Sequence, residues 1–275
     1  PTPRPLLWFD GQRAYEHVLA QCALGPRPTG SQAGWATGDY IISTLRELGW
    51  PVQTQEFTYR GVRARNILAG PRGSGPAIIV GAHYDTRPRA DRDPQHPDQP
   101  ILGANDGASG VAVLLELARV LEEKRLQYTV YLAFFDAEDR GHLEGWPFSV
   151  GASYMAGHLE ELLPTSPEVV IVVDMVGDAQ QELYMERNSD AEWTARIWKL
   201  AAELGYEEFF IADYRWTIMD DHVPFIKQNI PAVDIIDFDY PHWHTLQDTA
   251  DKVSPESLAR VGLVLQHLVY TRVQP

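Results

Sequence analysis

One cysteine, Cys22, occurs in the 275 residues, so an internal disulfide and a thiolate metal cage are both excluded. Positive charge is scarce as well: 23 Lys and Arg stand against 38 Asp and Glu, a formal net charge of −15. Nucleic acid and anionic membranes are met by basic surfaces, so this balance argues against both as partners. No apolar run approaches the roughly 18 residues that a spanning helix needs. A Gly-rich phosphate loop and a G-x-S-x-G nucleophile elbow are missing. So is any repeat, low-complexity tract or Ser/Gly linker that would divide the chain. The sequence opens at Pro1 with neither Met nor an apolar leader, which reads as a processed chain.

What is present is an ordinary folding composition, 44% hydrophobic and 22% charged, which rules out wholesale disorder. Helical spacing of apolar residues marks Phe9–Leu24 and Ala33–Leu48, the second stopped by Gly49 and Pro51. Extended segments follow at Val52–Tyr59 and Ala64–Leu68. Four short runs, Ala77–Ala82, Thr129–Phe135, Val169–Val173 and Ala232–Ile236, are almost wholly apolar and rich in β-branched or aromatic residues. Such runs suit strands buried on both faces. Helical patterns at Gly110–Glu123, Ala191–Leu204, Asp220–Gln228 and Pro255–Tyr270 alternate with them. The alternation predicts an α/β/α sandwich with a mixed, mostly parallel central sheet, and residues 1–275 read as one domain.

The chemistry lies just after each buried run. His83-Tyr84-Asp85 follows the first, Asp136-Ala137-Glu138-Asp139 the second, Asp174 the third, and an acidic, aromatic stretch leading to His242-Trp243-His244 the fourth. Open α/β sheets bind ligands outside the carboxyl ends of their strands, so these groups are expected to converge on one crevice. Asp106, in Gly103-Ala104-Asn105-Asp106-Gly107-Ala108-Ser109-Gly110, precedes a helix and would join them. Each piece also has a plain reading: Asp106 as a helix cap, Asp85 and Asp174 as turn residues, His244 as a surface or hydrogen-bonded core histidine. Together, two imidazoles and several carboxylates make a donor set of the kind zinc commonly occupies. The acidic, Pro-rich stretch from Thr86 to Pro100 lacks calcium-loop spacing and reads as a solvated loop. His17, His96, His158 and His267 have no partner cluster and stay unassigned, and Cys22 has no catalytic context.

Gly81-Ala82-His83-Tyr84-Asp85, Ala104 to Gly110 and the acidic pair after Phe134-Phe135 resemble the zinc-dependent exopeptidase superfamily. Within it, the chain is most similar to the glutaminyl-peptide cyclotransferases (glutaminyl cyclases) of the animal type, which bacteria also possess. The similarity runs from Pro26-Arg27-Pro28-Thr29-Gly30-Ser31 through Trp243-His244-Thr245 to the last helix.

The resemblance implies a zinc-exopeptidase-like fold and one zinc ion held by Asp106, Asp139 and His244. It implies Glu138 as general base and acid, with Asp174 and Asp220 as its acidic partners. Trp243 would wall the substrate pocket, with His222 and Trp146 nearby. His83 is retained beside Asp85, and a cis peptide is implied after Asp106. Animal cyclases carry Glu where this chain has Asp139, whereas bacterial ones are similar to it in using Glu-Asp. The implied partners are peptides or proteins with N-terminal glutamine, and a periplasmic or secreted location would suit that work.

Two other readings stand beside this one. A two-zinc aminopeptidase would use His83 and Asp174 on one metal and Asp139 and His244 on the other, bridged by Asp106. A binding module that has lost catalysis is the third, and the intact Glu138 and ligand set speak against it. Asp220, at the start of Asp220-Asp221-His222-Val223-Pro224-Phe225, and Trp243 favour the cyclase.

Overall fold

Residues with branched or aromatic side chains on both faces of a strand are stable only between two apolar layers, and these layers are what the helices supply. In the computed structural model, which describes residues 6–271, six strands form one sheet: β1 (Val52–Tyr59), β2 (Val62–Gly73), β3 (Ala77–His83), β4 (Thr129–Phe135), β5 (Val169–Asp174) and β8 (Ala232–Ile236). Their order across the sheet is β1-β2-β4-β3-β5-β8. β1 and β2 form an antiparallel hairpin, and β2 meets β4 antiparallel. From β4 to β8 all pairing is parallel. A separate parallel pair joins β6 (Leu183–Met185) to β7 (Phe210–Tyr214).

Alternate residues of the parallel strands enter different cores, as the period-2 pleat requires. Ile78, Val80 and Ala82 of β3 pack with α1 (Gly11–Ala23), α2 (Gln32–Glu47), α3 (Ala108–Val120), α6 (Ala191–Glu203) and α8 (Pro255–Tyr270). Ile79 of β3, with Tyr131 and Phe135 of β4, faces α4 (Val150–Gly157), α5 (Leu159–Leu162) and α7 (His222–Lys227) on the opposite side. The result is the expected three-layer α/β/α sandwich. The strands at Thr129–Phe135 and Ala232–Ile236 and the helix at Pro255–Tyr270 have the bounds the apolar runs predict. α4, α5, β6 and β7 are additions that the sequence pattern did not mark.

The strand order places the site. The chain leaves β3 for β4 on one side, then crosses to β5 on the other, so the sheet reverses its direction of growth at β3. A crevice opens outside the carboxyl ends at such a point. α3 starts there, and its Gly110 lies so close to β5 that a Cβ would come 2.3 Å from the Val173 carbonyl. Non-glycine residues in each of the loops beyond β4, β5 and β8 adopt left-handed backbone, among them Ala137 (φ 62), Met175 (φ 47) and His244 (φ 58). Such conformations are uncommon for residues with a Cβ and gather where function fixes the chain. The peptide after Asp106 is trans, contrary to the expectation, since Gly70-Pro71 is the one cis bond among the described residues.

Candidate active site

The crevice brings the strand-end residues together in two histidine-carboxylate groups that share Asp106. His83, at the end of β3, points Nε2 at Asp174 Oδ1 (3.0 Å) and Asp106 Oδ1 (3.3 Å). His244 points Nε2 at Asp139 Oδ1 (3.1 Å), with Asp106 Oδ2 at 3.8 Å. The other nitrogen of each ring faces an acceptor: Nδ1 of His83 the Asp85 carbonyl (3.1 Å), Nδ1 of His244 the Asp91 carboxylate (3.2 Å). Each ring thus has an acceptor at Nδ1 and turns Nε2 to the crevice carboxylates, the orientation metal-bound histidines take.

Backbone anchors fix the carboxylates. Asp85 accepts from the N–H groups of Glu138 (3.0 Å) and Asp139 (3.2 Å), which sets the turn after β4. Asp248 accepts from the N–H groups of Asn105 (2.8 Å) and Asp106 (3.1 Å) and from the Tyr240 hydroxyl (2.8 Å). Arg87 reaches the carbonyls of Asp139 (3.3 Å) and Gly141 (3.0 Å) and pairs with Asp91. Asp85 has an obvious place in the sequence, next to His83. Asp248 was not marked, and its only signal is its spacing of four residues from His244. Arg87 and Asp91 belong to the Thr86–Pro100 stretch, so part of that loop serves the site rather than solvent.

Burial and crowding set the charges. Glu138, inside the crevice, is held well above the usual carboxylate range by burial and by Asp220 and Asp139, against the pull of His83. Asp139 is pushed up to about 6 by burial and the neighbouring Asp106. Asp174 is pushed up to about 7, chiefly by burial. Burial works against a charged His244, but Asp139, Asp91 and Asp106 outweigh it and raise it to about 9. So many carboxylates around two imidazoles call for a compensating cation.

The donors fit a metal ion. One atom from each of Asp106, Asp139 and His244 lies within 4.8 Å of the others, and the same holds for His83, Asp106 and Asp174. Asp106 Oδ2 and Asp139 Oδ2 are buried without any hydrogen-bond partner, which is costly unless something else satisfies them. One nitrogen and two carboxylates suit zinc and leave a fourth position open.

A cavity of about 170 Å³ opens onto the first group. Asp106, Glu138, Asp139, Asp174 and Asp220 supply its polar side, while Phe148, Ile218, Ile236, Phe238 and Trp243 supply the apolar side. Drug-sized pockets run to roughly 300–1,000 Å³, so this one suits a single amino-acid side chain. Trp243 lies 4.0 Å from the His244 ring, 5.0 Å from Phe238, and beneath the Arg92 guanidinium at 3.9 Å. Two expected pocket residues lie elsewhere. Trp146 is buried with Phe57, Ala64 and Val150 beside the β1–β2 hairpin, because its ring fills a small apolar cluster there. His222 is wholly buried and bonded to Glu186 at 3.1 Å, outside the cavity lining. Phe148, Ile218 and Phe238 line the cavity from irregular segments that carry no periodic signal. Burial raises the Cys22 thiol to about 11, so it is an inert packing group.

A three-layer α/β fold with histidine and carboxylate donors at the ends of its parallel strands defines a zinc-exopeptidase-like protein. Residues 66–269 match the model of peptidase family M28, and the chain belongs to that family. It is 25% identical to a glutaminyl-peptide cyclotransferase of Drosophila melanogaster, over 88% of this chain and 75% of that protein. A solved Bacteroides thetaiotaomicron glutaminyl cyclase, bound to N-acetylhistamine, superimposes with a TM-score of 0.90 at 30% identity, covering 98% of this chain and 100% of that one. A structure described as a leucine aminopeptidase precursor from the same organism gives a TM-score of 0.91 at 31% identity, over 98% and 99% of the two chains. No helix among the described residues is long and apolar enough to cross a membrane.

Proposed function

We propose that the protein is a zinc-dependent glutaminyl-peptide cyclotransferase, one catalytic domain that converts N-terminal glutamine of peptides or proteins to pyroglutamate with release of ammonia. The observation that carries the reading is the cavity itself. It is sized for one side chain, walled by Trp243, Phe238 and Ile218, and has Glu138 and Asp220 beside the Asp106–Asp139–His244 donors. Those three residues would hold the metal, which when bound polarises the side-chain amide carbonyl as a Lewis acid. Zinc of this kind has one ion per chain in the cyclase reading.

The reaction forms a bond between the α-nitrogen and the δ-carbon of glutamine and breaks the δ-carbon bond to the amide nitrogen. Both reacting groups belong to one residue, so the protein's task is mainly geometric. The apolar wall holds the side chain folded back on its own amine and keeps water away. Glu138 takes the proton from the attacking amine and returns it to the departing nitrogen, which leaves as ammonia. A carboxyl group raised by burial and by Asp220 is suited to both halves of that task. Asp174 and Asp220 hold the proton balance around Glu138. A periplasmic or secreted location accords with substrates that are exported chains.

The complete His83–Asp106–Asp174 group favours a second reading, a two-zinc aminopeptidase. Incubation with one Gln-initiated and one Leu-initiated peptide, followed by mass spectrometry and metal analysis, separates the two. Ammonia loss from the first peptide and no change in the second supports the cyclase. Free leucine with about two zinc ions per chain would make the protein a peptidase.

A further inference from the structure

Beneath the cavity lies a second set of polar side chains. Ile236 lines the cavity from β8, and Asp234 is two residues earlier on the same face of that strand. His222 opens α7, and Asp220 comes just before it. Asp234 and His222 are completely inaccessible, and Asp220 is 3% exposed.

The hydrogen bonds around Glu186 determine which atoms of His222 are free. Glu186 accepts from the Ser189 N–H (2.7 Å), the Ser189 hydroxyl (2.9 Å) and the Ile218 N–H (2.8 Å). A carboxylate so surrounded by donors is ionised and acceptor-only, so the contact with His222 Nε2 at 3.1 Å is a bond donated by the imidazole. Nδ1 of His222 is the ring atom that this bond leaves over. It faces Asp234 Oδ2 at 3.6 Å, beyond hydrogen-bond reach. Nδ1 of His222, both oxygens of Asp234 and Oδ2 of Asp220 have no hydrogen-bond partner among the described residues. A single proton on Asp234 would satisfy one of these contacts and leave the other atoms bare. A divalent cation would satisfy them together.

We propose that Asp220, His222 and Asp234 form a closed, structural binding site for a divalent cation of the zinc class, separate from the crevice donors. One donor atom of each lies within 4.8 Å of the others. Each of the three side chains supplies one donor, and the second oxygen of Asp234 is also unpartnered. Glu186 orients the imidazole through its far nitrogen, the support that metal-bound histidines usually have. The ion would tie α7 to β8 and fix Asp220, which lines the cavity above. The site does not depend on which reaction the crevice performs.

Crystals of the full chain grown with millimolar zinc and measured at the zinc absorption edge test it. The expected result is an anomalous peak about 2 Å from Asp234 and His222 Nδ1, resolved from any peak at Asp106–Asp139–His244 or at His83–Asp174. Asp234→Asn should then lose one zinc equivalent and this peak alone, with the crevice metal retained. Absence of the peak in the wild-type map overturns the proposal and leaves the cluster held by protons, whether or not the variant folds.

Discussion

Glu138 and Asp139 are adjacent, yet their side chains meet different partners, and that divergence is the centre of the site. Asp139 reaches His244 and Asp106, while Glu138 faces the cavity beside Asp220. The left-handed turn at Ala137 and the paired N–H bonds to Asp85 hold them apart. If Glu138 is the proton carrier proposed above, Glu138→Gln should keep the metal and lower activity by roughly 10²–10⁴-fold. Asp139→Ala should lose the metal too, and metal analysis of the two purified variants distinguishes the roles. Reversed results would show that the pair has been assigned the wrong way round. Asp248 acts at one remove. It touches no substrate position, but two of its bonds fix the backbone that presents Asp106. Asp248→Ala should weaken metal affinity by about 10–100-fold, as loss of an outer partner does. Competition against a chelator measures this, and unchanged affinity would reduce Asp248 to a packing group.

At the level of elements, the contact between α3 and β5 decides how Asp106 and Asp174 approach each other. Gly110 sits in the first turn of α3, where alanine would ordinarily gain about 1 kcal/mol of helix propensity. Here the added Cβ would stand 2.3 Å from the Val173 carbonyl and 2.9 Å from Ala82 Cβ. Overpacking of that kind costs about 1–3 kcal/mol, so the clash should win. Gly110→Ala is expected to lower the thermal midpoint and to reduce activity, since the helix that follows Asp106 must move. A midpoint equal to or above wild type would show that α3 has slack at this contact. The strands framing this contact were legible as unbroken apolar runs, and so were the residues at their ends. His83, Asp139 and Asp174 could be expected at the crevice because they follow buried strands, and Asp106 because it precedes a helix there. Phe148, Ile218 and Phe238 could not, because their segments have no period to read and only the fold brings them to one cavity. Trp146 and His222 show the reverse failure. Proximity in sequence to a site residue, Glu138 or Asp220, does not decide which face of the chain a ring will take.

For the molecule as a whole, groups far from the crevice also contribute to the pH dependence of stability. His17, on α1, bonds the Tyr40 hydroxyl on α2 at 2.5 Å, and burial, with Arg119 and Arg13, lowers it to about 4. The unfolded chain takes up this proton near 6.5 and the folded one does not until about 4. Stability therefore falls from this source as pH drops through that window and is fully present above it. Asp237 acts in the opposite sense. Burial and Asp178 raise it to about 7, so its contribution to stability declines as pH rises from the unfolded value of 3.8 to about 7. The two slopes overlap, and only a difference measurement separates them. Relative to wild type, His17→Gln should gain stability between pH 6.5 and 4 in denaturant titrations, and parallel curves across that window would count against the assignment. The tie between the loops at 103–106 and 240–248 has a consequence of another kind. Asp248 holds Ala104, Asn105 and Asp106, and its own loop carries Trp243 and His244. Wall and donors are thus tied through one residue, and an interaction that steadies one loop is expected to steady the other. Equilibrium linkage makes the effect mutual: a molecule that settles against Trp243 must tighten the hold on the metal by the same factor as the metal tightens the hold on that molecule.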